Sequence, residues 1–242
     1  MKIDLNCDMG EGFGDSDEAI MPSITSVNIA CGMHAGDPST MQKTLRLAKQ
    51  YGVAVGAHPG WPDREGFGRR EMSFSVNEVE ALVLYQVGAL AALAKAEGVE
   101  LHHVKPHGAL YNQAAKDRAL AGAIAGAVKG FSHDITLVGL AGSALVEAGA
   151  DIGLRVAHEG FPDRSYESDG TLRSRQLANA VIESPDEVAA HAMVLVRDGI
   201  DFGGRLVRVD TLCLHGDHLH AAGNAALVRT QLEKAGIQVQ RL

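Results

Sequence analysis

Residues 101–112 read Leu-His-His-Val-Lys-Pro-His-Gly-Ala-Leu-Tyr-Asn. An apolar run that ends in Lys105 and is cut by Pro106 reads as a buried strand whose last residue carries a charge. An ammonium group at that place is costly unless an anion meets it. His107 follows two positions later, after a proline that fixes the backbone. Lys105 and His107 are therefore candidate catalytic groups at a strand exit. His102 and His103 begin the same strand and belong to its other end, as structural residues.

The same grammar recurs along the chain. Residues 2–6, 26–30, 53–57, 101–105, 135–138, 154–157 and 211–214 are short apolar or alternating runs that read as strands. Helical stretches lie between them. Asp37-Pro38 is an N-cap followed by proline, ahead of Thr40–Gln50. Ser75-Val76-Asn77-Glu78 is a capping box opening a long helix with apolar positions at Val76, Val79, Val83, Val87, Leu90 and Ala94. Ser184-Pro185-Asp186-Glu187 repeats that device before Val188–Val196, and Ala221–Lys234 closes the series.

Polar residues follow nearly every strand. Asn6, Asp8 and Glu11 follow the first. Asn28 and His34 mark the end of the second, and His58 the end of the third. Glu159 and Arg164 follow the sixth, and His215 the seventh. An open sheet gathers such residues at one switch point, whereas a barrel brings every strand C-terminus to one face. The expectation is an α/β fold: a single seven-stranded (β/α) barrel over residues 1–242, with its site at the C-terminal mouth.

The chain carries a net charge of −8, with 46% hydrophobic and 21% charged residues. No basic run offsets that balance, which argues against a nucleic-acid or anionic-membrane surface. The N-terminus has acidic residues where a signal peptide would be apolar. The apolar stretches are broken by Gly, Glu or Lys, so no membrane span is expected. Three cysteines with no CxxC pair suit small buried residues of a cytoplasmic chain.

Several roles follow from residue type. Asp8 and Glu11 suit a base or a metal ligand. Asn28, polar within an apolar strand, needs a buried partner. Arg64, Arg69 and Arg70 lie in a Gly-containing loop that reads as a mobile lid. Arg164 could clamp a carboxylate with two hydrogen bonds. His215, Asp217 and His218 suggest either a metal site or an acidic helix cap. No GxxxxGK[ST] sequence occurs, so the chain lacks that way of holding ATP.

The blocks at residues 4–14, 27–37, 55–70, 104–112, 158–175 and 213–217 together resemble the LamB/YcsF family, associated with 5-oxoprolinase A subunits. The resemblance spans the chain nearly end to end. It implies a barrel related to glycoside hydrolases and polysaccharide deacetylases. It also implies ATP-dependent cleavage of 5-oxoproline to glutamate with partner subunits B and C. On that footing Asp8, Lys105, His107 and His215 are the expected catalytic residues. Asn6, Glu11, Asn28, His34, His58, Glu159 and Arg164 would bind substrate. Two other readings stand beside it. One is a metal-dependent deacetylase-like hydrolase holding a divalent ion on Asp8, His34 and His58. The other is a non-catalytic component that binds a ligand and organises its partners.

Overall fold

Alternation along the first strand decides which way each residue faces. The computed structural model describes residues 1–12, 16–202, 204–214 and 221–242. In β1 (Lys2–Met9), Ile3, Leu5, Cys7 and Met9 join the main hydrophobic core. Asp4, Asn6 and Asp8 take the opposite face, since successive side chains in a strand alternate. That face is the inside of a barrel.

The wall is formed by β1, β2 (Ser26–Ala30), β3 (Ala54–His58), β4 (Leu101–Val104), β5 (Thr136–Leu140) and β6 (Arg155–Gly160), each parallel to the next. The antiparallel pair β7 (Ile200–Phe202) and β8 (Arg205–Val207) stands apart from it. The seventh barrel strand, β9 (Thr211–Cys213), pairs with β6 on one side and β1 on the other. That double pairing closes the expected seven-stranded barrel. A short β10 (Gln238–Val239) pairs with the start of β1.

The helices are α1 (Ser16–Ile20), α2 (Pro38–Tyr51), α3 (Val76–Glu97), α4 (Gly108–Ala114), α5 (Arg118–Phe131), α6 (Ala144–Asp151), α7 (Pro185–Asp198) and α8 (Ala221–Lys234). Asp37 caps α2 by accepting from the Thr40 amide at 2.8 Å. Ser75 and Glu78 form the capping box of α3. Ser184 occupies the N-cap of α7 but makes no side-chain cap bond, so the second expected box is not formed. Helix α3 is long and apolar enough to cross a membrane by length and composition, contrary to the expectation that every apolar stretch is too broken. Its Val79, Val83, Val87, Leu90 and Ala94 are buried in the core around the barrel.

Strands β1, β3, β5 and β6 run further than the sequence patterns indicate, and for two of them this matters to the site. β1 continues to Met9, which places Asp8 in the wall itself, and β6 continues to Gly160, which places Glu159 there. Lys105 lies just past β4, yet its amide still donates to the Ala57 carbonyl at 2.9 Å. It therefore keeps the line of the strand.

The barrel interior is a stack of hydrogen bonds instead of a column of aliphatic side chains. At its base the Asp4 carboxylate accepts from the Ser26 hydroxyl at 2.6 Å and from Thr25 at 2.7 Å. Above it, Asn6 donates to Thr211 at 2.7 Å and to Glu159 at 2.9 Å. Asn28 donates to Asn6 at 2.7 Å and to Asp8 at 2.8 Å. Its own oxygen lies 2.7 Å from His103 Nε2. His103 is thus structural, as expected, but it reaches the barrel interior. Its ring fills the space that Gly56 leaves, and a Cβ on Gly56 would overlap that ring.

Gly56→Ala should therefore push His103 off Asn28 and destabilise the fold by about 1–3 kcal/mol, the usual cost of overpacking. Thermal melting checks this, and an unchanged melting temperature would show that the ring has room to move.

Candidate active site

The C-terminal mouth of the barrel holds two clusters joined by one carboxylate. Lys105 is 2% exposed. Its ammonium lies 2.8 Å from Glu159 Oε1, 3.0 Å from Asp8 Oδ1, 3.1 Å from Cys213 Sγ and 3.3 Å from Asn6 Oδ1. The second carboxylate oxygen of Glu159 accepts from the Tyr111 hydroxyl at 2.7 Å. Strands β1, β6 and β9 and the turn after β4 thus each contribute to one buried charge cluster.

The other oxygen of Asp8, Oδ2, is 3.3 Å from His58 Nε2. There the second cluster begins. Glu11, His34, His58 and His107 place one donor atom each within 4.8 Å of one another. Glu11 Oε1 is 3.3 Å from His34 Nε2, 3.4 Å from His107 Nδ1 and 3.9 Å from His58 Nε2. The His34 and His107 rings stack at 3.8 Å. The outer nitrogens of two rings meet backbone carbonyls: His58 Nδ1 lies 2.7 Å from Lys105 O, and His107 Nε2 lies 2.8 Å from Phe67 O.

A cleft of about 820 Å³ opens over both clusters and includes Asp8, His58, Lys105 and Tyr111 in its lining. Arg69, Arg164, Arg173 and Arg175 add positive charge to its walls. A larger hollow of about 1090 Å³ lies at the other end of the barrel, beside Asp4 and His102. The carboxylate, lysine and imidazole groups converge on the first, which is also the end where barrel enzymes carry their chemistry.

The loop expected to act as a lid is stitched down. Arg64 donates to the Gly32 and Gly36 carbonyls at 2.7 and 2.9 Å. Asp63 accepts from the Gly66 amide and pairs with Arg70. The Ala109 amide donates to Gly68 O at 2.9 Å. Phe67 adopts φ +55°, a left-handed conformation unusual for an aromatic residue, and its carbonyl meets His107.

The sequence profile of the LamB/YcsF family matches residues 3–242. The chain belongs to the LamB/YcsF family. The 5-oxoprolinase A subunit of Chloroflexus aggregans is 53% identical over 248 residues, covering 99% of this chain and 98% of its own. That of Tolumonas auensis is 52% identical, covering 100% of this chain and 99% of its own. The crystal structure of a lactam utilization protein from Thermus thermophilus superposes with a TM-score of 0.91 at 48% identity, over 100% of both chains. A peptidoglycan deacetylase from Bacillus subtilis shares the fold at a TM-score of 0.51 and 14% identity, covering 99% of this chain and 86% of its own.

In this LamB/YcsF barrel the electrostatics separate the two clusters. Burial alone would lower the Lys105 pKa, but Asp8, Cys213 and Glu159 outweigh it and hold the pKa well above the ordinary lysine value. Lys105 is therefore a fixed cation and not a base. Burial, reinforced by His58, pushes His107 down to about 3, and burial takes His34 well below its usual value. These two rings are neutral at physiological pH.

The structure brings together Asn6, Asp8, Glu11, Asn28, His34, His58, Lys105, His107 and Glu159. His215, with Asp217 and His218, lies outside the described residues. Of the three residues expected to hold a metal, His34 and His58 belong to the four-residue group. Asp8 stands beside it, and Glu11 and His107 complete the set. The carboxylate clamp expected of Arg164 meets a different geometry. Its guanidinium is buried and donates to the Ala180 and Arg173 carbonyls, at 3.1 and 2.6 Å. It fixes the loop that carries Arg173 and Arg175. Sequence reasoning does not reach Tyr111 and Cys213 as site residues. Tyr111 has no signal beyond its place in the family-like block, and Cys213 meets Lys105 only because β9 closes on β1.

His103, also held at about 3 chiefly by burial, gives a pH test inside the barrel. Its unfolded pKa is about 6.5, so between pH 6.5 and 3 the unfolded chain binds the extra proton. Its contribution is intact above pH 6.5 and is lost as pH falls through that window, by up to about 1.4 kcal/mol per pH unit. Denaturant melts at several pH values should show a shallower acid-side loss for His103→Gln than for the parent. Parallel curves would assign the loss to other groups.

Proposed function

We propose that this chain acts as the A subunit of a 5-oxoprolinase, opening the lactam ring of 5-oxoproline to glutamate. The observation that carries the reading is the full-length identity, 53% with the 5-oxoprolinase A subunit of Chloroflexus aggregans. The Asp8–Lys105 pair in the mouth, at 3.0 Å, supplies a site suited to it.

Amide hydrolysis needs an activated water, stabilisation of the developing oxyanion and a proton for the departing nitrogen. Asp8, lining the cleft, takes a proton from water as the water oxygen bonds to the lactam carbonyl carbon. Lys105 pairs with Asp8 and offsets the negative charge that grows on the carbonyl oxygen. As the carbon–nitrogen bond breaks, Asp8 returns the proton to nitrogen, leaving an amine and a carboxylic acid, which then passes its proton to the amine to give ammonium and carboxylate. His107 is not the acid in this scheme, because its N–H points at Phe67 O and away from the cleft. Arg69 and Arg175 on the cleft wall meet the substrate carboxylate, the part first expected of Arg164.

On this reading ATP is used by the complex with partner subunits B and C, and the missing Walker-type loop is compatible with ATP chemistry on those partners. Phosphoryl transfer from ATP to the lactam oxygen, with ADP leaving, would make the ring carbon more electrophilic; once water has added and the carbon–nitrogen bond has broken, the resulting acyl phosphate would lose inorganic phosphate to a second water. A cytoplasmic location fits the three free cysteines. The Glu11–His34–His58–His107 group favours a second reading, a metal-dependent deacetylase-like hydrolase. Activity of the isolated chain on N-acetyl sugars would support that one instead.

Glutamate formation from 5-oxoproline and ATP should require this chain and its partners together, and neither alone. Asp8→Asn should lower kcat by about 10²–10⁴-fold, the usual range for a lost general base. Lys105→Met should abolish turnover while circular dichroism shows a folded chain. Near-normal turnover of Lys105→Met would remove the lysine from the mechanism.

A further inference from the structure

We propose that Glu11, His34, His58 and His107 bind a single divalent transition-metal ion of the zinc type at the barrel mouth. The argument starts from where the ring hydrogens are. A carbonyl oxygen only accepts, so His58 Nδ1 donates to Lys105 O at 2.7 Å and His107 Nε2 donates to Phe67 O at 2.8 Å. Each ring has then committed its N–H outward. The remaining nitrogens, His58 Nε2 and His107 Nδ1, face each other at 3.0 Å with lone pairs opposed. Two lone pairs at that distance repel unless something electrophilic lies between them. Histidine ligands to metals characteristically donate their other N–H to a carbonyl or carboxylate, which fixes the tautomer. Both rings are held in that way here.

Distances decide between a proton and an ion. A zinc ion with ligands at about 2.0–2.1 Å in a tetrahedron sets neighbouring donor atoms about 3.3 Å apart. The separations around Glu11 Oε1 and the His58–His107 pair are 3.0, 3.3, 3.4 and 3.9 Å. They bracket that edge. A shared proton would account for the 3.0 Å pair and a His34–Glu11 hydrogen bond for the 3.3 Å pair, whereas one ion accounts for all four donors at once. The His34 ring is held differently from the other two. Its Nδ1 is buried with no hydrogen-bond partner, so hydrogen bonding at that atom does not hold the ring. Its Nε2 points at Glu11 Oε1. Imidazole and carboxylate donors suit zinc, cobalt, nickel or iron better than magnesium or calcium.

The ion would lie on the side of Asp8 away from Lys105, since Asp8 Oδ2 is 3.3 Å from His58 Nε2 and Asp8 Oδ1 is 3.0 Å from Lys105. A water held by such an ion is acidified. That would place it beside the carboxylate assigned as base. The metal site nevertheless stands on its own geometry, whichever amide the enzyme opens.

The test uses the full chain without partners, substrate or ATP, so its failure is separate from failure of the lactam reading. Chelator-treated protein is reloaded with zinc or cobalt, dialysed, and its metal measured by mass spectrometry. One equivalent per chain is expected, with a rise in melting temperature and, for cobalt, the visible bands of a low-coordinate nitrogen–oxygen site. His58→Gln and His107→Gln should each weaken zinc binding at least tenfold. If either variant does not fold, the cobalt spectrum of the parent decides through its bands. No uptake by the parent would overturn the proposal and leave a proton shared between His58 and His107. Full uptake by a folded His58→Gln/His107→Gln double variant would overturn it as well, by placing the ion elsewhere.

Discussion

An ammonium group enclosed by protein loses its hydration, at a cost of several kcal/mol per ion unless anions and hydrogen bonds replace it. Lys105 is such a group, and the barrel is arranged around it. Asp8 comes from β1, Glu159 from β6, Cys213 from β9 and Asn6 from β1 again. None of these is near Lys105 in sequence. Only closure of β9 against both β1 and β6 brings them within reach. The polar stack below exists for the same reason. Once Asn6 and Glu159 are fixed as partners, Thr211, Asn28, His103 and Asp4 follow to satisfy their remaining donors and acceptors.

Asp8 gives this arrangement its direction. One oxygen is held by Lys105 and Asn28, and the other is turned to His58. The carboxylate therefore couples a permanently cationic half of the mouth to a half made of imidazoles, two of which are held neutral by burial. A change in charge among the histidines is felt at Asp8 through 3.3 Å of contact, and through Asp8 at Lys105.

Much of this was legible from residue order. A charge at the end of an apolar run, and imidazoles and carboxylates after strand upon strand, led to a barrel mouth containing Asp8, His34, His58, Lys105, His107 and Glu159. What could not be read depends on register and closure. Periodicity ended β1 at Asn6, because Asp8 looks like a loop residue until its partner lysine is known. Cys213 read as a small buried residue because its neighbour lies 108 positions away. Arg164 read as a ligand clamp, because composition does not reveal that its Nε and Nη2 donate to the Ala180 and Arg173 carbonyls. The Gly-containing loop after β3 read as mobile for a related reason. Glycine permits motion, but Asp63, Arg64 and Arg70 withdraw it through contacts that no local pattern announces.

That stitched loop has a consequence of its own. Mobile lids order upon a substrate and subtract the entropy of ordering from its affinity. Here the ordering is completed when the chain folds, and the Phe67 carbonyl is aimed before any ligand arrives. That stretch of the wall is shaped before a ligand arrives. Selectivity at such a stretch rests on its shape and charge, with no ordering cost to subtract.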